Sequence, residues 1–222
     1  MPQKKRAVQI EAIIGILKKE TQKFTIPSVS RISRKFHSPF LVLVSCILSL
    51  RTKDETTLRA SKRLFGLART PQVMSRLKIG RIKKAIYPAG FYRTKAKRIK
   101  EICRRLIDTF SSRVPDTLEG LLSLKGVGRK TANLVLTEGF GKLGICVDTH
   151  VHRITNRLGY CDTRTPKETE MCLRNKLPKR YWIEYNKLLV TWGQNVCAPL
   201  SPWCGRCAIE KYCQKAGVIK HR

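Results

Sequence analysis

A lysine in a glycine-rich turn, an aspartate heading a helical segment and four closely spaced cysteines are the residues of this chain best equipped to react. Lys130 stands in Leu124-Lys125-Gly126-Val127-Gly128-Arg129-Lys130-Thr131-Ala132. A free lysine is deprotonated to only about one part in a few thousand at pH 7, so an amine used as a nucleophile needs help. The start of a helix and the neighbouring Arg129 both favour the neutral form. Two glycines one residue apart permit a tight hairpin, and around Gly126, Gly128 and Arg129 they leave backbone N–H groups bare enough to meet a phosphate. A P-loop would need Gly directly before Lys, where Arg129 stands; a dinucleotide fingerprint would need a third Gly where Thr131 stands, and a strand in front. Asp148 opens Asp148-Thr149-His150-Val151, as expected of an N-cap. From Lys130 to Glu138 a helix climbs ~13 Å, and the loop to Val147 can span ~30 Å, so Asp148 can return to Lys130. A carboxylate in contact would hold the amine protonated, so Asp148 is assigned to the reaction itself, taking a proton from the amine or steadying positive charge on the substrate. The plainer alternatives are a helix cap for Asp148 and a phosphate contact for Lys130. His150 and His152 read as packing or phosphate residues.

Cys197, Cys204, Cys207 and Cys213 are spaced C-x6-C-x2-C-x5-C, with Pro199, Pro202 and Gly205 supplying turns. Four thiolates on a short loop in a reducing compartment indicate metal rather than disulfides. Both tetrahedral zinc and an iron–sulfur cubane accept four cysteines, so the spacing leaves either open. The other five, Cys46, Cys103, Cys146, Cys161 and Cys172, read as ordinary buried thiols.

The elements that must position these groups are helical. Apolar residues recur near a 3.6 period over 8–20, 40–50, 56–67, 95–110, 117–124, 130–138, 149–158, 167–176 and 181–192. Prolines 27, 39, 71, 88, 115, 166 and 178 separate these segments, and Asp116 with Glu119 forms a capping-box pattern. The apolar run around Val42, Leu43, Val44 and Ile47 would have no strand to pair with, so it reads as a buried helix. An all-α fold of about nine or ten short helices follows, without repeats.

The chain has 222 residues, 46 Lys+Arg against 15 Asp+Glu, and a formal charge of +31, with 42% hydrophobic residues. That apolar content excludes a disordered basic tail, and the charge calls for a polyanion. Arg76 to Arg105 holds twelve Lys or Arg and one acid, Glu101, interleaved with Tyr87, Phe91 and Tyr92. Basic residues with aromatics suit nucleic acid; a solvated helix face is the plainer reading. An anionic membrane is the weaker partner, since no segment joins a basic face to a wide apolar one with a Trp anchor. The run Pro39 to Leu50 is far short of the ~20 residues a spanning helix needs, and the basic start, Met1 to Arg6, is not followed by a secretory core. Cytoplasmic residence is expected, nucleoid-associated if the source is prokaryotic.

The motifs LKGVGRKTANLVL at 124–136 and VDTHVHRITNRLG at 147–159, with the cysteine loop, resemble the endonuclease III family of DNA base-excision-repair glycosylases. The resemblance runs from the helix at residue 40 to Cys213. It implies an all-α fold of two domains: a six-helix domain with a helix-hairpin-helix motif at 32–142, and an iron–sulfur helical domain built from 1–31 and 143–222, with the active site in the cleft between them. It implies a [4Fe-4S] cluster on the four C-terminal cysteines. Lys130 matches the family's catalytic lysine and Asp148 its catalytic aspartate. In that chemistry a damaged pyrimidine is flipped from the duplex, the lysine attacks C1′ of its deoxyribose, the base leaves as a Schiff base forms, and β-elimination nicks the strand 3′ to the lesion. Related branches acting on mismatched adenine or thymine lack that lysine, so Lys130 implies a glycosylase that is also an abasic-site lyase. Phe91 falls where the family inserts an apolar wedge, and Lys95 is placed with the DNA-contacting residues. At Arg51 the family often has Gln, filling the gap left by the flipped base; Arg51 departs from this, so the lesion and partner-base preference are not implied. A monomer on duplex DNA carrying damaged bases or abasic sites is the expected working form.

Overall fold

The computed structural model describes residues 8–222; the basic start, Met1 to Arg6, lies outside the described residues. Among them there is no strand, and there are twelve α-helices: α1 (Ile10–Glu20), α2 (Ser28–Phe36), α3 (Pro39–Ser49), α4 (Asp54–Leu67), α5 (Pro71–Arg76), α6 (Ile79–Ile86), α7 (Tyr92–Phe110), α8 (Leu118–Leu122), α9 (Arg129–Phe140), α10 (Thr149–Arg157), α11 (Pro166–Lys176) and α12 (Trp182–Asn195). None of them is long and apolar enough to cross a membrane.

The sequence period misses α2, α5 and α6. In α2 the cause is chemical: Ser28 and Ser30 occupy buried positions that an apolar period would fill. Ser28 N–H and Oγ donate to the two carboxylate oxygens of Asp54 (2.8 and 2.7 Å), and Ser30 Oγ donates to Glu138 (2.6 Å). Buried hydroxyls are tolerated once paired. Pro39, Pro71 and Pro166 do not separate helices but open α3, α5 and α11, behind the capping side chains of Ser38, Thr70 and Thr165. That first position has no N–H to lose. The capping box expected from Asp116 is also displaced. Thr117 is the cap of α8, accepting from Gly120 N–H, while Asp116 pairs with Lys142.

The chain divides into two compact units, one comprising Pro27–Cys146 and the other the chain's start through Ile26 together with Val147–Arg222. These borders differ from the expected 32 and 142. Residues 27–31 belong with α3, because α2 packs on it, and Cys146 is held by its thiol's hydrogen bond to Lys130 O (3.4 Å). Within 27–146, six helices have eight residues or more, and α5 and α8 are shorter. Its centre is α3, buried without a break from Phe40 to Leu48. A helix apolar on every side needs neighbours all round, and α2, α4, α7 and α9 supply them. In the other unit α12 packs on α1 and α10, and α11 on α10. Cys161 and Cys172, expected as thiols, are joined there in a disulfide; eleven residues of separation gave no pattern by which to recognise it. Cys46, Cys103 and Cys146 are buried and outside any disulfide.

Candidate active site

Lys130 lies in the first turn of α9, exposed, and Asp148 caps α10; they fall in different units. The turn before α9 is built as its glycines suggest, but the two act differently. Gly126 has φ +84°, and a Cβ there would sit 2.6 Å from Arg98 Nε. Gly128, the N-cap of α9, is extended, with nothing within 4 Å of where a Cβ would be. The first residue is required by conformation, while the second keeps the backbone open at the helix start. Arg129 is half-buried beside it. Under the turn, Cys46 on α3 has its thiol pKa raised by burial, with Lys130 pulling it down and Glu138 pushing it up. Lys130 is thus within electrostatic reach of the α3 core while its side chain faces solvent.

Asp148 Oδ1 accepts from His150 N–H (2.9 Å) and Val151 N–H (3.0 Å). The cap is real. His150 Nδ1 meets Arg153 (3.1 Å), and His152 Nδ1 meets Thr169 Oγ1 (2.7 Å), so both histidines pack as expected.

Arg51 and Phe91 are brought together from separate loops. Both have left-handed backbones, φ 50° and 56°, and the Arg51 guanidinium lies 5.6 Å from the Phe91 ring centroid. Phe91 is 61% exposed, an unusual position for so large an apolar ring. Lys95, expected among the DNA contacts, is instead turned inward. It is 6% exposed, and its ammonium donates to Leu48 O (2.7 Å), Leu50 O (2.6 Å) and Thr52 Oγ1 (2.7 Å). All three N–H donors are used inside the protein, so none remains for a phosphate. Burial lowers its pKa to about 8. Lys100 also points inward, to Leu77 O (2.7 Å). Elsewhere on the basic stretch, Lys83, Lys84, Tyr87, Tyr92 and Arg93 line an open concavity with Gly80. The period of α7 could have flagged Lys95, since it is followed by buried Ala96 and Ile99 on the face that turns to the core.

Cys197, Cys204, Cys207 and Cys213 line one cavity, walled by Ile154, Leu158, Trp192 and Ile209. Among the described residues no three of His, Cys, Asp and Glu converge as a site for a single metal ion. The sulfurs surround a space instead, and its donors suit a body of anionic sulfur. Arg157, 8% exposed, donates to Cys197 Sγ (3.3 Å) as well as to Ala198 O and Pro199 O (both 2.6 Å), and Lys215 N–H donates to Cys213 Sγ (3.4 Å). Trp192 Nε1 is buried and makes no hydrogen bond. A buried orphan donor calls for an acceptor. As a free thiol Cys207 is pushed up to about 11 by burial, with the Ile209 amide acting to lower it. Burial also raises Cys204, while Lys215 and Arg157 oppose it. Arg157 and Trp192 were not singled out from sequence; a buried arginine inside a helix reads there as one more surface cation.

Residues 44–179 match the family model described as HhH-GPD superfamily base excision DNA repair protein. The chain is 49% identical over 182 residues to endonuclease III of Thermotoga maritima, spanning 82% of this chain and 85% of that protein. Its structure is similar to one described as a non-covalent endonuclease III–DNA complex (TM-score 0.83, 32% identity, 93% of this chain and 94% of that one). It is also similar to a trapped endonuclease III–DNA covalent intermediate, an estranged-adenine complex (TM-score 0.76, 35% identity, 80% and 84%).

Proposed function

This chain belongs to the endonuclease III family of base-excision DNA glycosylases, and from that membership we propose that it is bifunctional, removing oxidised pyrimidines from duplex DNA through a lysine Schiff base and then cutting the strand by β-elimination. The observation that carries the proposal is the place of Lys130, in the first turn of α9 directly behind the Gly126–Gly128 hairpin. In this reading the hairpin amides and Arg129 hold a phosphate, and Phe91 enters the stack beside the extruded nucleotide while Arg51 occupies the space it leaves.

The Lys130 amine attacks C1′ as the glycosidic bond breaks, and the base departs with the bonding electrons. Asp148 takes the proton released by the amine or steadies the positive charge on the sugar. The nitrogen then expels sugar oxygen from C1′, giving the Schiff base. Loss of a C2′ proton breaks the C3′–O bond, which nicks the strand 3′ to the lesion. The enzyme works as a monomer on duplex DNA with damaged bases or abasic sites. Cys197, Cys204, Cys207 and Cys213 would hold a [4Fe-4S] cluster, whose four iron–thiolate bonds would staple the C-terminal segment to itself. Arg157 and the Trp192 N–H would offset its negative charge.

Single-turnover reactions on a panel of duplexes, each with one damaged base, test this. Release of an oxidised pyrimidine together with a nick 3′ to the site is expected. Base release without a nick would overturn the lyase assignment, and neither product on any duplex would overturn the whole reading.

A further inference from the structure

Phe91 and Arg51 stand on two loops that have no regular structure to hold them in register. The first loop, 50–53, joins α3 to α4, and the second, 87–91, joins α6 to α7. Arg63 secures the start of the second loop, donating to Ala85 O (2.8 Å) and to Tyr87 O. The end nearest Phe91 is held differently. Gly90 N–H donates to Thr52 Oγ1 (3.1 Å) across the gap between the loops. A side chain at Gly90 would run into the Arg51 carbonyl, so the two backbones touch at the point where the paired residues diverge. Thr52 Oγ1 in turn donates to Leu50 O (3.3 Å) and accepts from the Lys95 ammonium. That ammonium also takes the carbonyls of Leu48 and Leu50, which close α3.

We propose that Lys95 is a positioning residue for lesion engagement, its buried ammonium fixing Thr52 so that the Arg51 loop and the Phe91 loop present their side chains as one rigid pair. The proposal rests on the reading that Arg51 and Phe91 enter the duplex. One cation collects three oxygens from the end of α3 and the loop behind it, and the hydroxyl at its tip reaches the second loop. Both wedge residues occupy left-handed backbone that side chains rarely adopt, and such conformations persist only where the surroundings over-determine them. Without the ammonium, the Leu48 and Leu50 carbonyls lose their shared donor and Thr52 is left with only its long bond to Leu50 O, which loosens its hold on the Gly90 amide. A misplacement of about 1 Å in such a constellation can cost on the order of a hundredfold in rate.

The experiment uses 2-aminopurine placed beside a tetrahydrofuran abasic analogue in a duplex, whose fluorescence rises when its neighbour is unstacked, together with single-turnover excision on the preferred lesion. Thr52→Val removes the relay hydroxyl at nearly constant shape, Thr52→Ser restores it, and Lys95→Met removes the cation. The expected result is a lost fluorescence rise and excision slowed about ten- to a hundredfold for Thr52→Val and Lys95→Met. Thr52→Ser should behave as wild type, and affinity for undamaged duplex should be unchanged in all three. Thr52→Val with wild-type fluorescence and rate would overturn the proposal, as would equal losses in Thr52→Val and Thr52→Ser. A wild-type protein that excises the base but never unstacks 2-aminopurine would overturn the wedge reading, and the proposal with it.

Discussion

Replacing Asp148 by Asn and by Ala separates the helix cap, which needs only an accepting oxygen, from the proposed chemical role, which needs the negative charge. Oδ1 accepts the N–H groups of His150 and Val151 at 2.9 and 3.0 Å. An Asn oxygen can accept both, so Asp148→Asn keeps the cap and loses only the attraction of a negative charge to the start of α10, ~0.3–1 kcal/mol. Asp148→Ala loses the cap, ~0.5–2 kcal/mol, or a drop in urea midpoint of roughly 0.3–1 M for each 1 kcal/mol at a typical m-value. Chemistry ranks the variants differently. If the carboxylate handles a proton or a growing positive charge, Asn is no better than Ala, and both should slow excision by ~10²–10⁴, or ~3–5 kcal/mol of barrier. The assay is urea unfolding followed by circular dichroism, beside single-turnover excision with enzyme in excess. The account predicts stability in the order wild type, Asn, Ala, with activity low in both variants. Asp148→Asn excising at the wild-type rate would refute the catalytic role and leave the cap alone.

Gly126→Ala should destabilise the protein by about 1–2 kcal/mol, from left-handed strain and displacement of Arg98 from its pair with Glu101. Gly128→Ala, with open space around it, should leave the urea midpoint within the scatter and weaken DNA binding instead. Cys103 has its thiol pushed up to about 12 by burial, against an unfolded value near 8.5. Between those values the unfolded chain has lost a proton that the folded one keeps, so stability should fall as pH rises from about 9 towards 12, with a shallower slope in Cys103→Ala. Lys84→Ala and Arg93→Ala should each reduce the slope of log K against log salt for duplex binding by about 0.9, while Lys95→Met, whose three ammonium donors are all taken inside the protein, should leave that slope alone.

What could be read from the sequence follows how locally each feature is encoded. The continuous apolar run of α3, the Gly-Val-Gly turn before α9 and the cap at Asp148 are set by residues within a few positions of one another, and the structure shows each of them. The helix α2 escaped because Ser28 and Ser30 share its buried face with Val29 and Ile32, and the partners of those serines, Asp54 and Glu138, lie 26 and 108 residues away. Lys95 was misread for the same reason. Its neighbours in the chain are basic, so it reads as one more DNA contact, whereas its burial depends on carbonyls 47 and 45 residues earlier. The four cysteines announced themselves by spacing; Arg157 and Trp192, which complete their surroundings, come from α10 and α12 and carry no local sign of that role.

The central claim is that the Lys130 amine becomes covalently joined to a sugar carbon. Borohydride added during turnover reduces an imine to a stable secondary amine, and digestion followed by mass spectrometry locates it. The account predicts a deoxyribose-phosphate remnant on Lys130 and no adduct in Lys130→Ala. Wild-type protein that excises bases without forming an adduct, or an adduct mapped to any other residue, would contradict it.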